Sequence, residues 1–158
     1  AYIQKSLDVF PVEFLNIKRI HYTVFGEDLF KDIDIHVSDL RGQCERELKA
    51  KLIGLRQGYV SAAGDRKLLT DEFMSSFSGY VPLFRGIIML FGSEPPVDGK
   101  AVLADLEKAA GIGTDVFKRV LKEKKERTRM SVDQLTRIFE EYYAVIEKLG
   151  DIVDAMDE

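Results

Sequence analysis

The sequence holds a single cysteine, Cys44. No disulfide can form within the chain, and nothing in its cysteine usage points to an oxidising compartment. A cytoplasmic location is the expectation. Long apolar runs are also missing. The most apolar stretch, GIIMLFG from Gly86 to Gly92, falls far short of the roughly 18 residues a membrane-spanning helix needs. The opening AYIQKSLDVF lacks a basic region followed by an apolar one, so no secretory signal and no membrane partner are expected. It also lacks a starting Met and begins in mid-pattern, the expected look of a domain taken from a longer protein. A basic surplus is absent too. A formal net charge of −4 and a pI near 5.3 argue against general nucleic-acid binding.

Catalytic motifs are equally scarce. The chain has only 2 histidines, His21 and His36, and neither stands at metal-ligand spacing from Cys44. No nucleophile elbow, phosphate-cradling loop or dinucleotide fingerprint occurs. Some helical bundles cleave RNA with an Arg-x4-His motif, and neither histidine follows an arginine at that spacing. Asp32 and Asp34 sit two apart on a strand-like stretch and would face the same side, as a pair holding Mg²⁺ would. No Gly-Ser phosphate turn precedes them. The only Gly-Ser, Gly92-Ser93, comes far later, so a metal site at the pair is the weakest of the readings.

What remains is an ordinary globular composition, 46% hydrophobic and 32% charged, enough for one sizeable core. The first 37 residues have mixed texture. Val12, Phe14, Leu15 and Ile17 read as a short strand after Pro11. Ile33, Ile35 and Val37 alternate with Asp34 and His36 as a second, weaker one. From Ser38 the periodicity turns helical. Leu40, Cys44, Leu48, Leu52, Leu55 and Tyr59 recur every three or four residues, behind a Ser38-Asp39 cap and up to Gly64. Cys44 on that face is expected in the core. A second helical pattern runs from Asp65 to Phe91, with Phe73, Phe77, Tyr80, Phe84, Ile87 or Ile88, and Phe91 as its stripe. Pro82 must kink it or split it near Gly79. Ile87 to Phe91 is apolar all round and should be buried.

Two shorter helices are expected from Asp98 to Ala110 and from Thr114 to Lys125. The charged run KEKKERTR, Lys122 to Arg129, reads as a solvated helix end and loop. Ser131 with Gln134 makes a capping box. A last long helix follows, with Leu135, Ile138, Phe139, Tyr142, Val145, Ile146, Leu149, Ile152 and Val153 on its apolar face. The expected fold is all-α, an up-and-down bundle of about four helices over residues 38–158. Residues 1–37 form an N-terminal appendage of strand and loop character.

The charges within these helices single out four residues. Arg85 lies in the very apolar Pro-Leu-Phe-Arg-Gly-Ile-Ile, where an unpaired guanidinium is costly. Lys51, Arg56, Tyr59 and Arg85 together would make a wall for a phosphate or carboxylate, since the arginine fork binds such groups bidentately. The structural alternative pairs Arg85 and Arg56 with Glu45 or Glu72, or lets Arg85 reach solvent along its stem.

Three stretches carry a family resemblance: FPVEFLNIKRIHYTVFGEDLF, LRGQCERELKAKLIGLRQGY and VPLFRGIIMLFG. Together they resemble the C-terminal portion of bacterial nucleotidyltransferases, in which a polymerase-β-like catalytic domain precedes a helical one. The helical part is similar to the substrate-binding bundle at the C-terminus of kanamycin nucleotidyltransferase. The resemblance implies that residues 1–37 are the exit of an α/β catalytic domain. The catalytic Gly-Ser and paired aspartates would lie in that other domain, so this chain would be no enzyme by itself. It would hold no cofactor of its own, with Mg²⁺ and nucleotide belonging to the parent protein. Its partners would be the nucleotidyltransferase domain, fused or separate, and a second copy of itself. Lys51, Arg56, Tyr59 and Arg85 would face the substrate. The rival reading is a helical dimerisation module without a ligand.

Overall fold

The computed structural model describes residues 2–126 and 130–156. It contains α1 (Pro11–Ile20), α2 (Val37–Ala62), α3 (Arg66–Ser76), α4 (Val81–Leu90), α5 (Val102–Ala110), α6 (Asp115–Glu126) and α7 (Val132–Asp154). Short 3-10 turns cover Ile3–Lys5 and Phe77–Gly79. Among the described residues the protein is all-helical, without a strand. No helix among them is long and apolar enough to cross a membrane.

The expected first strand is α1. Pro11 occupies its first turn, where a missing N–H costs nothing, and Glu13 meets the positive end of the helix. Pro11, Val12, Phe14, Leu15 and Asn16 are buried, a helical spacing and not an alternating one. Lys18 and Arg19 close the last turn against the carbonyl end. The second expected strand has no partner among the described residues. Ile33 and Ile35 instead plug into the core from an irregular segment, while Val37 starts α2 and is exposed. Residues 1–37 thus carry helix and core-filling side chains where strand character was expected. Leu7, Val12, Phe14, Leu15, Ile33 and Ile35 join the same core as the later helices.

α2 is the spine, 26 residues and so about 39 Å long. It lies against α7, α4, α3 and α1. Its N-terminus falls one residue before the expected Ser38 cap, after His36, which makes no side-chain cap. Leu40, Cys44 and Leu48 are fully buried. Ala63 and Gly64 end the helix in left-handed conformation. The long second pattern breaks at Phe77–Gly79, and Pro82 falls in the first turn of α4. There its absent donor is harmless. α3 is capped by Asp65, whose side chain accepts from the Leu68 N–H. The side chain of Phe73, expected on the stripe, lies outside the described residues.

α4 packs against α5, α2 and α1. Leu83, Phe84, Ile87 and Ile88 have no exposed surface to speak of, whereas Met89, Leu90 and Phe91 are only half-buried. Gly86 allows the close crossing: a Cβ there would stand 3.0 Å from Cys44 Sγ. Burial pushes the Cys44 thiol up to about 12, so it is an inert core group. An aromatic knot joins the helices: Phe84 to Phe117 at 5.2 Å, Phe117 to Tyr142 at 4.8 Å and Tyr80 to Tyr142 at 5.6 Å.

α5 starts four residues later than the expected Asp98. Asp98 instead accepts from the Lys100 N–H in the turn before it. Ser131 and Gln134 form the expected capping box at the start of α7. Of the charged run, residues 127–129 lie outside the described residues. Its earlier part continues α6, with Lys122, Lys125 and Glu126 exposed and Glu123 half-buried.

Candidate functional site

A cleft of about 540 Å³ opens along one face of α2. Ala50 and Gly54 leave it open, because nothing lies within 4 Å of where a Gly54 Cβ would be. Arg46, Glu47 and Lys51 line it from α2, Glu72 from α3, and Tyr80 from the turn before α4. Lys51 is the group on which this geometry converges. Its Nζ sits 5.0 Å from the centroid of the Tyr80 ring, a cation–π contact. No carboxylate lies within ion-pair distance of it among the described residues. Burial pushes the Tyr80 phenol above its ordinary range, with nearby Glu72 adding to the shift, so the ring stays neutral. A second, smaller cavity along the same face takes in Gly58, Ser61, Ala62, Leu68 and Asp71. Glu72 borders both, its carboxylate resting against Gly58 where a side chain would collide at 2.5 Å.

The four residues singled out from the sequence do not form one wall. Lys51 alone lines the cleft. Arg56 turns to α7, where its Nη2 donates to Tyr143 Oη at 2.9 Å and its guanidinium lies 5.2 Å from that ring. Tyr59 shares this α7 side. Its ring stacks on Phe139 at 4.1 Å and its hydroxyl meets Thr136 Oγ1 at 3.1 Å. The helical rotation of about 100° per residue explains the split, since five residues from Lys51 to Arg56 turn through about 140° beyond a full circle.

Arg85 is interior, 6% exposed, and its partners are neutral. Nη1 donates to Asn16 Oδ1 at 2.9 Å, Nε to the Pro96 carbonyl at 3.0 Å and Nη2 to the Val97 carbonyl at 2.8 Å. Arg19 from α1 takes the preceding Pro95 carbonyl at 2.8 Å and pairs with Glu94. Two arginines thus hold three successive carbonyls of the Pro95-Pro96-Val97 loop, a stretch whose prolines have no N–H to pair. Burial, and then the nearby Arg19 charge, lower the Arg85 pKa. Its fork fastens the loop to α4 and α1. The expected pairing with Glu45 or Glu72 does not occur at Arg85. Glu45 instead meets Arg41 at 3.4 Å and Lys49 at 2.5 Å.

Arg46, Glu47, Glu72 and Tyr80 were not expected at a ligand cleft, Glu72 being named only as an ion-pair partner for the arginines and Tyr80 only as part of an apolar stripe. The signal available was the spacing of Ala50, Gly54 and Gly58 every four residues, with Arg46 and Lys51 flanking that stripe. Among the described residues no group of three or more His, Cys, Asp or Glu side chains is placed to hold a metal, and Asp32 and Asp34 gather no third ligand. No protein-family model matches the chain, and no curated protein or solved structure is found similar to it.

Proposed function

We propose that this chain is a non-catalytic helical binding or accessory domain of a nucleotidyltransferase-like protein, contributing one wall of a substrate cleft. The observation that carries the reading is Lys51, held over Tyr80 in an open cleft without a carboxylate partner among the described residues. An ammonium so placed binds a phosphate or carboxylate, and Arg46 beside it adds a second cation. Glu47 and Glu72 suit hydroxyl or amino groups elsewhere on the same ligand. Arg56 and Tyr59 brace α2 against α7 in this reading, and Arg85 secures the loop behind α4. The long helices α2, α3 with α4, and α7 make the up-and-down frame that carries the cleft. Mg²⁺ and nucleotide enter with the polymerase-β-like partner domain, fused or separate, in the cytoplasm.

The test is thermal melting of the chain with nucleoside triphosphates, with and without Mg²⁺, beside Lys51→Ala. A ligand at a hundredfold excess over its Kd adds about 2.7 kcal/mol to the folded state. For a chain of this size that is a rise of about 5–10 °C. The rise is expected in the parent chain and absent in Lys51→Ala. No rise with any nucleotide in the parent chain overturns the reading. A helical dimerisation module is the second reading, favoured by Ile53 and Val60, both exposed on α2. A dimer in light scattering that Ile53→Asp abolishes, with no nucleotide effect, selects it.

A further inference from the structure

Residues 22–29 connect α1 to the segment that reaches α2, and they expose apolar side chains. Tyr22 is 87% exposed, Val24 88%, Phe25 96% and Leu29 66%. At the base of this loop stands His21, the residue that caps α1. Its Nδ1 faces the carbonyl oxygens of Ile17 at 2.8 Å and Lys18 at 3.2 Å. Its Nε2 faces Asp28 Oδ1 at 2.8 Å. The same carboxylate oxygen accepts the Phe30 N–H at 3.0 Å, and the Phe30 ring lies edge-on to the imidazole at 5.2 Å.

Every partner of the two ring nitrogens is an acceptor. A neutral imidazole has one N–H and one lone pair, so it can satisfy only one side and turns its lone pair on an oxygen at the other. Only the imidazolium donates on both. Its charge also suits both neighbours, the carbonyl end of α1 and the Asp28 carboxylate. Among the described residues, Asp28 is the one charged side chain facing the ring. The Lys18 ammonium points away, donating to the Ile33 carbonyl at 2.8 Å.

We propose that His21 and Asp28 form a protonation-dependent latch that clips the apolar loop 22–29 onto the C-terminal end of α1. The latch is closed while His21 carries both protons and opens when one is lost. Consistent with this, the Asp28 hydrogen bond raises the His21 pKa above its ordinary 6.5. The Phe30 N–H, followed by His21, lowers that of Asp28. A raised folded-state His21 pKa means the latch is fully closed below pH 6.5 for as long as Asp28 stays ionised, which its lowered pKa extends to below 3.8, and is lost as the pH rises through the folded His21 value.

An NMR titration of the full chain tests this, following the His21 ring signals and the methyl groups of Val24 and Leu29. His21 is expected to titrate above 6.5, with both methyls shifting at the same midpoint. Asp28→Asn should bring the midpoint back toward the ordinary value, and His21→Gln should abolish the methyl titration. A His21 midpoint at or below 6.5, or loop methyls indifferent to it, overturns the latch.

Discussion

At Arg85, a cation sits in a nearly dry interior with only neutral oxygens around it. Carbonyl dipoles aimed at a guanidinium are strong hydrogen-bond partners, and their convergence replaces the missing carboxylate. Arg85→Ala would leave Asn16 Oδ1 and the Pro96 and Val97 carbonyls unpaired at once. Only the Asn16 oxygen is buried, the two carbonyls being within reach of water, and an unsatisfied buried acceptor costs about 1–3 kcal/mol, so a loss of about 1–3 kcal/mol is expected in denaturant unfolding. Arg85→Lys should recover only part of it, because one ammonium cannot reproduce the fork. A loss below about 1 kcal/mol would mean the loop is held by other contacts. Burial of Arg85 was legible from its apolar neighbours. Its partners were not, because backbone carbonyls leave no trace in side-chain spacing. Lys51 was legible as a charge on α2, but Tyr80, which holds it, read only as part of a core stripe.

Helix boundaries separate what local chemistry decides from what packing decides. The break before α4 was readable because Pro82 forbids a continuous helix, and it came within a few residues of Gly79. The start of α7 was readable because Ser131 and Gln134 satisfy each other's backbone donors. Ser131→Ala should therefore cost about 1 kcal/mol in chemical denaturation, while the exposed Asp133→Ala should cost less. Equal losses would remove the cap as the cause. α1 was misread because its Val, Phe and Ile residues favour strands when counted singly. Pro11, Glu13, Lys18 and Arg19 mark a helix by position, and that signal outweighs composition. Ile33 and Ile35 alternate as a strand would, yet alternation without a partner produces only an irregular plug.

For the molecule as a whole, the all-helical class followed from periodicity, whereas the arrangement of the N-terminal part did not. Its side chains reach α2 and α4 through contacts between residues far apart in sequence, which no local pattern encodes. The same limit applies to the candidate site. Lys51, Glu72 and Tyr80 meet only because α3 and α4 fold back on α2. Arg56 and Tyr59, close to Lys51 in sequence, end on α7 instead. In the function proposed above, the α2 cleft, and not the α7 side or the Arg85 interior, receives an anionic ligand. The most direct measurement is a titration of the isotope-labelled chain with a nucleoside triphosphate, read residue by residue by NMR. Saturable shifts are expected at Arg46, Lys51, Gly54 and Tyr80 in the parent chain, and none at Arg46, Gly54 and Tyr80 in Lys51→Ala. Shifts centred on Arg56, Tyr143 and Thr136, or no saturable shift at the cleft, would contradict it.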